Sequence, residues 1–126
     1  MSESTSNREL TSEERQLVRW MLEHGEPDAP QFLPQLERAQ VLPTRCACGC
    51  ASIDFSIDGQ PKPMPGPLRP IADFVFGSTA DLSGIFVFEQ AGVLAGLEVY
   101  GLAGDAPKTL PNPDSLRPLT DDTANA

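Results

Sequence analysis

The sequence predicts an α+β fold: two N-terminal helices packed on one face of a four- to five-stranded, mainly antiparallel sheet. Three observations lead there. Apolar residues recur at helical spacing up to Ala39, they alternate at strand spacing from Ile53, and the later strands are joined by short turns. No internal repeat points to a solenoid or propeller. A chain of 126 residues suits one domain. Its ordered part is expected over 10–118, with 1–9 and 119–126 as disordered ends.

The first helix is signalled by Thr11 and Glu14, which have the spacing of a capping box. Leu17 with Met21, and Val18 with Leu22, stack one turn apart on an apolar face that Trp20 widens. Gly25 reads as a left-handed stop, and His24, the only histidine, as a complement to the helix dipole rather than a catalytic base. Phe32, Leu33, Leu36 and Ala39 suggest a second helix, with Asp28 as cap and Pro30 in the first turn. Pro34 delays its regular part to Phe32 or Leu33.

Ile53, Phe55 and Ile57 then alternate with Ser52, Asp54, Ser56 and Asp58, the pattern of a half-buried strand. Residues 59–70 include Pro61, Pro63, Pro65, Pro67 and Pro70 and read as an extended surface connection unable to pair in a sheet. Segments 71–76, 85–88 and 93–100 form a β-meander, with a short turn at Gln90, Ala91 and Gly92. The second of these is apolar on both faces and therefore central. In the third, Leu97 and Val99 lie opposite Glu98 and Tyr100. From Gly101 the chain reads as an irregular tail packed by Leu110, Leu116 and Leu119.

The segments LTSEERQLVRWMLEHG, CACGCASIDF, GIFVFEQAGVLAGLEVYGL and LPNPDSLRP together resemble a family of small bacterial proteins, a domain of unknown function. The shared features are a helical start, a Cys-x-Cys-Gly-Cys segment and a Leu-Glu-Val-Tyr strand. The resemblance spans roughly 10–118 and implies a bacterial origin and a similar architecture. It transfers no catalytic residue.

The charge of −9, from 18 acidic and 9 basic residues, disfavours nucleic acid and anionic membranes as partners and permits a basic protein. The stretch from Met1 to Asn7 lacks the basic start and apolar run of a secretory signal. No later apolar stretch approaches the ~20 residues of a membrane helix, so a cytoplasmic, non-membrane protein is expected.

Cys46, Cys48 and Cys50 are the most unusual feature, because thiolates are preferred ligands of zinc. On a straight strand the three would point to one side, ~6 to 7 Å apart, so one metal ion would need a curl at Gly49. The competing reading is a run of small residues packed into a strand and turn, since cysteine is also a small buried apolar residue. Among the carboxylates Asp54, Asp58, Asp73, Glu89 and Glu98, alternation singles out Asp54 and Glu98, with Tyr100, as a polar patch on one sheet face. A solvated face accounts for the same pattern. Lys62, Met64, Leu68 and Arg69 make the proline-rich connection a candidate interaction loop, against the plainer reading of a stiff linker.

With one histidine, no G-x-S-x-G elbow and no phosphate-binding glycine loop, no catalytic or cofactor-binding residue is assigned. The expected function is a noncatalytic protein-interaction or regulatory module, with a basic protein as partner and a homodimer as a further arrangement. The alternative is a zinc-binding or thiol redox-sensing protein using Cys46, Cys48 and Cys50.

Overall fold

A computed structural model describes residues 7–42, 52–58, 67–104, 107 and 109–118. Their elements, in chain order, are β1 (Arg8–Glu9), α1 (Ser12–His24), a 3-10 turn (Ala29–Phe32), α2 (Leu33–Leu36), β2 (Ala39–Val41), β3 (Ile53–Ile57), β4 (Leu68–Phe76), β5 (Ser83–Gln90), β6 (Val93–Gly101) and β7 (Arg117–Pro118). The class is α+β, and the described strands form one antiparallel sheet in the order β1-β2-β3-β6-β5-β4-β7. Seven strands replace the four to five expected. The additions are short: β1, β2 and β7 have two or three residues each, too few for an alternating pattern to register.

The capping box at the start of α1 is present. Thr11 Oγ1 accepts from the Glu14 amide at 3.1 Å, and Glu14 Oε1 accepts from the Thr11 amide at 2.9 Å. Both Glu14 oxygens also accept from Arg8 at 2.9 Å, which ties β1 to the helix. At the other end Gly25 has φ −89°, so it is not a left-handed stop. Glycine is needed there for space: a β-carbon would lie 2.7 Å from Ala72 Cβ and 2.5 Å from the Ile71 carbonyl oxygen. That carbonyl accepts the Glu26 amide at 2.9 Å, docking the end of α1 onto β4.

The second helix is shorter than its apolar spacing suggests. A 3-10 turn precedes four α-helical residues beginning at Leu33, and Ala39 belongs to β2. Pro30 and Pro34, each lacking an amide hydrogen, sit in the first turns of these two pieces, where no intrahelical donor is required. Asp28 makes no capping bond; its carboxylate accepts from Arg69 at 2.6 Å. β4 begins at Leu68, so Leu68, Arg69 and Pro70 pair with Gln90, Glu89 and Phe88 of β5 rather than lying in a loop. The strand tolerates Pro70 because the register shifts between it and Ala72, leaving Ile71 as an extra residue.

Register assigns the two faces of the meander. The rows Ala72–Val87–Leu97–Ile53 and Phe74–Ile85–Val99 lie on the core face. Val87, Leu97, Phe74, Ile85 and Val99 belong to one buried cluster with Leu17, Val18, Met21 and Leu22 of α1, and the Trp20 ring packs on Phe74 at 5.1 Å. His24 stacks on that indole at 4.2 Å, and its Nδ1 lies 2.7 Å from the Trp20 carbonyl oxygen. A second bulge, in β6, falls between Phe88–Gly96 and Glu89–Leu94 and leaves Ala95 unpaired. The extra residue lets Leu94 and Leu97 both join the core, although their spacing in a regular strand would put them on opposite faces.

Gln35 locks α2 to the β5–β6 hairpin by accepting the Leu94 amide at 2.7 Å and donating to the Gly92 carbonyl at 3.1 Å. Leu94 is fully buried, so its amide has no water to fall back on. Replacing Gln35→Ala is expected to lower stability by ~1 to 3 kcal/mol in urea unfolding; a change within error would show that this amide finds another partner.

Candidate functional site

The outer face of the meander carries a different chemistry from the core face. Asp73 of β4, Phe86 of β5 and Glu98 of β6 lie directly opposite one another in one cross-strand row. The row on one side is Arg117–Val75–Gly84–Tyr100, and the row on the other brings Pro70, Phe88, Gly96 and Asp54 together across four strands. Three rings therefore share the face with three carboxylates. Phe86 stands 5.8 Å from Phe88 and 5.9 Å from Tyr100, both tilted in the geometry aromatic pairs favour.

Two glycines seat the outer rings. Tyr100 lies over Gly84, where a β-carbon would overlap the phenol ring, and Phe88 lies over Gly96, where a β-carbon would sit 2.6 Å from its Cζ. Each ring thus crosses onto the neighbouring strand, covering backbone that glycine leaves bare. Phe86 has no glycine opposite it. It stays half-buried between the Asp73 and Glu98 positions, while both of those residues are exposed.

Partial loss of hydration shapes the electrostatics. It raises the Glu98 carboxyl above its ordinary 4.5, and the neighbouring Asp54 adds to the rise. Asp73 is raised above 3.8 first by the same loss of hydration and then by Glu26, and Tyr100 is raised above 10.0 by desolvation and by Asp73. All three shifts disfavour negative charge on this face. No ion pair or side-chain hydrogen bond reaches Asp54, Asp73 or Glu98 among the described residues.

The described arginines are occupied elsewhere. Arg8 pairs with Glu14, Arg15 with Glu9, Arg19 with Glu37, Arg38 with Asp58, and Arg69 with both Asp28 and Glu89, while Arg117 donates to the Gly77 carbonyl. Charge is thus segregated: the described cations close onto carboxylates of the helices and of the strand ends, or, for Arg117, which stands opposite Val75 on the outer face, onto a carbonyl, and none of them pairs with Asp54, Asp73 or Glu98. A cavity of about 370 Å³ beside β2, lined by Glu9, Glu37, Arg38, Gln40 and Asp58, has its polar groups satisfied by one another and by Arg19.

Of the residues singled out from sequence, Asp54, Glu98 and Tyr100 come together on one face, and Asp73 joins them. Asp58 and Glu89 do not; the first holds Arg38, and the second holds Arg69 while also accepting the Gly92 amide at 2.8 Å. Leu68 and Arg69 lie on β4 rather than in a loop, with Leu68 exposed and Arg69 bound by two carboxylates. Lys62, Met64, Cys46, Cys48, Cys50 and the terminal segments 1–6 and 119–126 lie outside the described residues. Phe86 and Phe88 are not legible in the sequence as outer-face residues, because a doubly apolar strand reads as core on both sides. The available signal was glycine inside strands, Gly84 two residues before Phe86 and Gly96 two before Glu98.

Among the described residues no group of three His, Cys, Asp or Glu side chains converges as a metal site would require, and no helix is long and apolar enough to cross a membrane. No family model, curated protein or solved structure matches the chain. The functional reading therefore rests on the residues themselves.

Two consequences can be measured. Glu98 titrates higher in the folded chain than its ordinary 4.5, so its charge costs stability above the raised value, and the cost vanishes as pH falls below 4.5. Glu98→Gln should accordingly raise the melting temperature at neutral pH, with the gain fading on acidification; a gain independent of pH would mean the carboxyl is unshifted. Gly84→Ala should displace the Tyr100 ring and cost ~1 to 3 kcal/mol, with a changed near-UV circular dichroism band, whereas an unchanged band would show the ring seated elsewhere.

Proposed function

We propose that the chain is a noncatalytic interaction module whose outer sheet face binds a basic segment of a protein partner. In this reading both helices cover the core face and leave the opposite face to the partner. The observation that carries the proposal is the outer face itself, where Asp54, Asp73 and Glu98 stand beside Phe86, Phe88 and Tyr100 and no described cation pairs with them; Arg117, opposite Val75 on the same face, donates to the Gly77 carbonyl instead.

The physical argument is one of relief. Carboxylates with raised pKa values are poorly compensated, and an incoming cation supplies what solvent does so only in part. The half-buried Phe86 and Tyr100 rings add contact area and an attractive π-face for a positive group, while Phe88 is buried beneath the surface. The net charge of −9 steers such a partner toward the chain from a distance. A catalytic reading has less behind it, because acid–base chemistry needs a defined reacting centre and the described residues build no enclosing wall around these carboxylates, of which Asp73 and Glu98 are exposed.

The test is a titration of the isotopically labelled chain with a short basic peptide at low salt, followed by amide chemical shifts. Shifts should cluster on β5 and β6 around Phe86, Glu98 and Tyr100 and weaken as salt is added. The double substitution Asp73→Asn with Glu98→Gln should lower affinity by about tenfold, ~1.4 kcal/mol. Binding should also weaken as acidification protonates the two carboxyls, since the cation favours their ionised forms. Shifts confined to the β1–β2 edge, or affinity untouched by the double substitution, would move the interaction away from this face.

A further inference from the structure

Resting on the interaction reading above, we propose that the group the outer face selects is the guanidinium of arginine, laid against the Phe86 ring between the carboxylates of Asp73 and Glu98. Directly opposed residues on one sheet face stand ~4.5 to 5.5 Å apart, so the central position of that row is a ring and both of its neighbours are acids. A flat cation resting on the ring reaches a carboxylate with its N–H edge on either side.

Guanidinium meets each requirement of that row and ammonium only one. It is planar, so it stacks on the ring; it presents its donors in a fixed fork, so a carboxylate can accept two at once; and it is weakly hydrated, so leaving water costs it less. Ammonium is a compact, strongly hydrated point charge that gains the Coulombic attraction and little from the plane of the ring. The Phe86 ring is also prevented from turning away. Phe88 and Tyr100 flank it at 5.8 and 5.9 Å, and they in turn are seated over Gly96 and Gly84. A ring held in place loses little freedom when it is covered, which favours a stacked ligand over a loosely held one.

Asp54 supports the same preference from the next row. It stands opposite Gly96 on the far side of Glu98 from Phe86, and its charge contributes to the raised Glu98 carboxyl. Arginine is not deprotonated in proteins, so the contact does not depend on the protonation state of the ligand.

The deciding experiment titrates the full-length labelled chain with two peptides identical except for arginine in place of lysine, read at the Phe86, Glu98 and Tyr100 amides. The arginine peptide is expected to bind about three- to fivefold more tightly. In Phe86→Leu the arginine peptide should lose more affinity than the lysine peptide, so that the ratio falls toward one. Phe86→Tyr retains the ring and should keep the preference, which guards against a leucine variant that folds poorly. Equal affinity of the wild-type chain for the two peptides would overturn the guanidinium assignment and leave a purely electrostatic surface. Failure of both peptides to shift these amides would overturn the interaction reading together with it.

Discussion

The register of the β5–β6 hairpin is the constraint on which the rest of the sheet depends. Ala91 and Gly92 both take positive φ, 54° and 80°, which makes the tight two-residue turn whose twist matches that of the strands it joins. From that turn the pairing runs back through Phe88–Gly96 and Phe86–Glu98 to Ser83–Gly101. A slip of one residue would turn Glu98 into the core and Val99 out to solvent, so the buried face enforces the register that the turn begins. Gln35 and Glu89 brace the same turn, one from α2 and one from β5, through Gly92 and the Leu94 amide.

The two bulges follow from this hairpin and divide its two faces. Ile71 and Ala95 are the extra residues, and they flank the same residue of β5, Phe88, from opposite sides. Ile71 turns its carbonyl to the Glu26 amide at the end of α1, and Ala95 resets β6 so that Leu94 returns to the core. A sheet bent in this way twists more strongly at that row. There Phe88 folds over Gly96, so the ring cluster on the outer face and the leucines on the core face share a cause.

Charge is separated on the same scaffold. Arginines from α1, α2's following residue Arg38 and β4 close onto carboxylates at the ends and edges of the sheet, and such exposed pairs contribute little stability individually. Their effect on the electrostatic surface is larger, because the described cations are drawn to those edges. The outer face is left with carboxylates whose raised pKa values record the lack of compensation. An aromatic and acidic surface of this kind combines the two attractions that a stacked cation uses.

The sequence by itself determined the elements whose signal is local. The Thr11–Glu14 capping box, the Leu17–Met21 and Val18–Leu22 spacing, the core positions of Phe55 and Ile57 and those of Leu97 and Val99 each follow from a few neighbouring residues, and each is present in the fold, although Ser56, expected on the solvated side of β3, is buried as well. The placement of Asp54, Glu98 and Tyr100 on one side followed from the same period of two, although their common surface did not. Tertiary structure decided what depends on distant partners. Arg8 and Glu9 became strand because Gln40 and Val41 lie alongside them, Ala39 left the helix for β2 because Ile57 pairs with it, and Leu68 to Pro70 entered the sheet opposite Gln90 to Phe88. Strand order brought Asp73 and Asp54, on β4 and β3, to either side of the β5–β6 hairpin. No local pattern encodes such neighbours, because cross-strand pairing is set by the burial of the whole core rather than by the preference of any single segment.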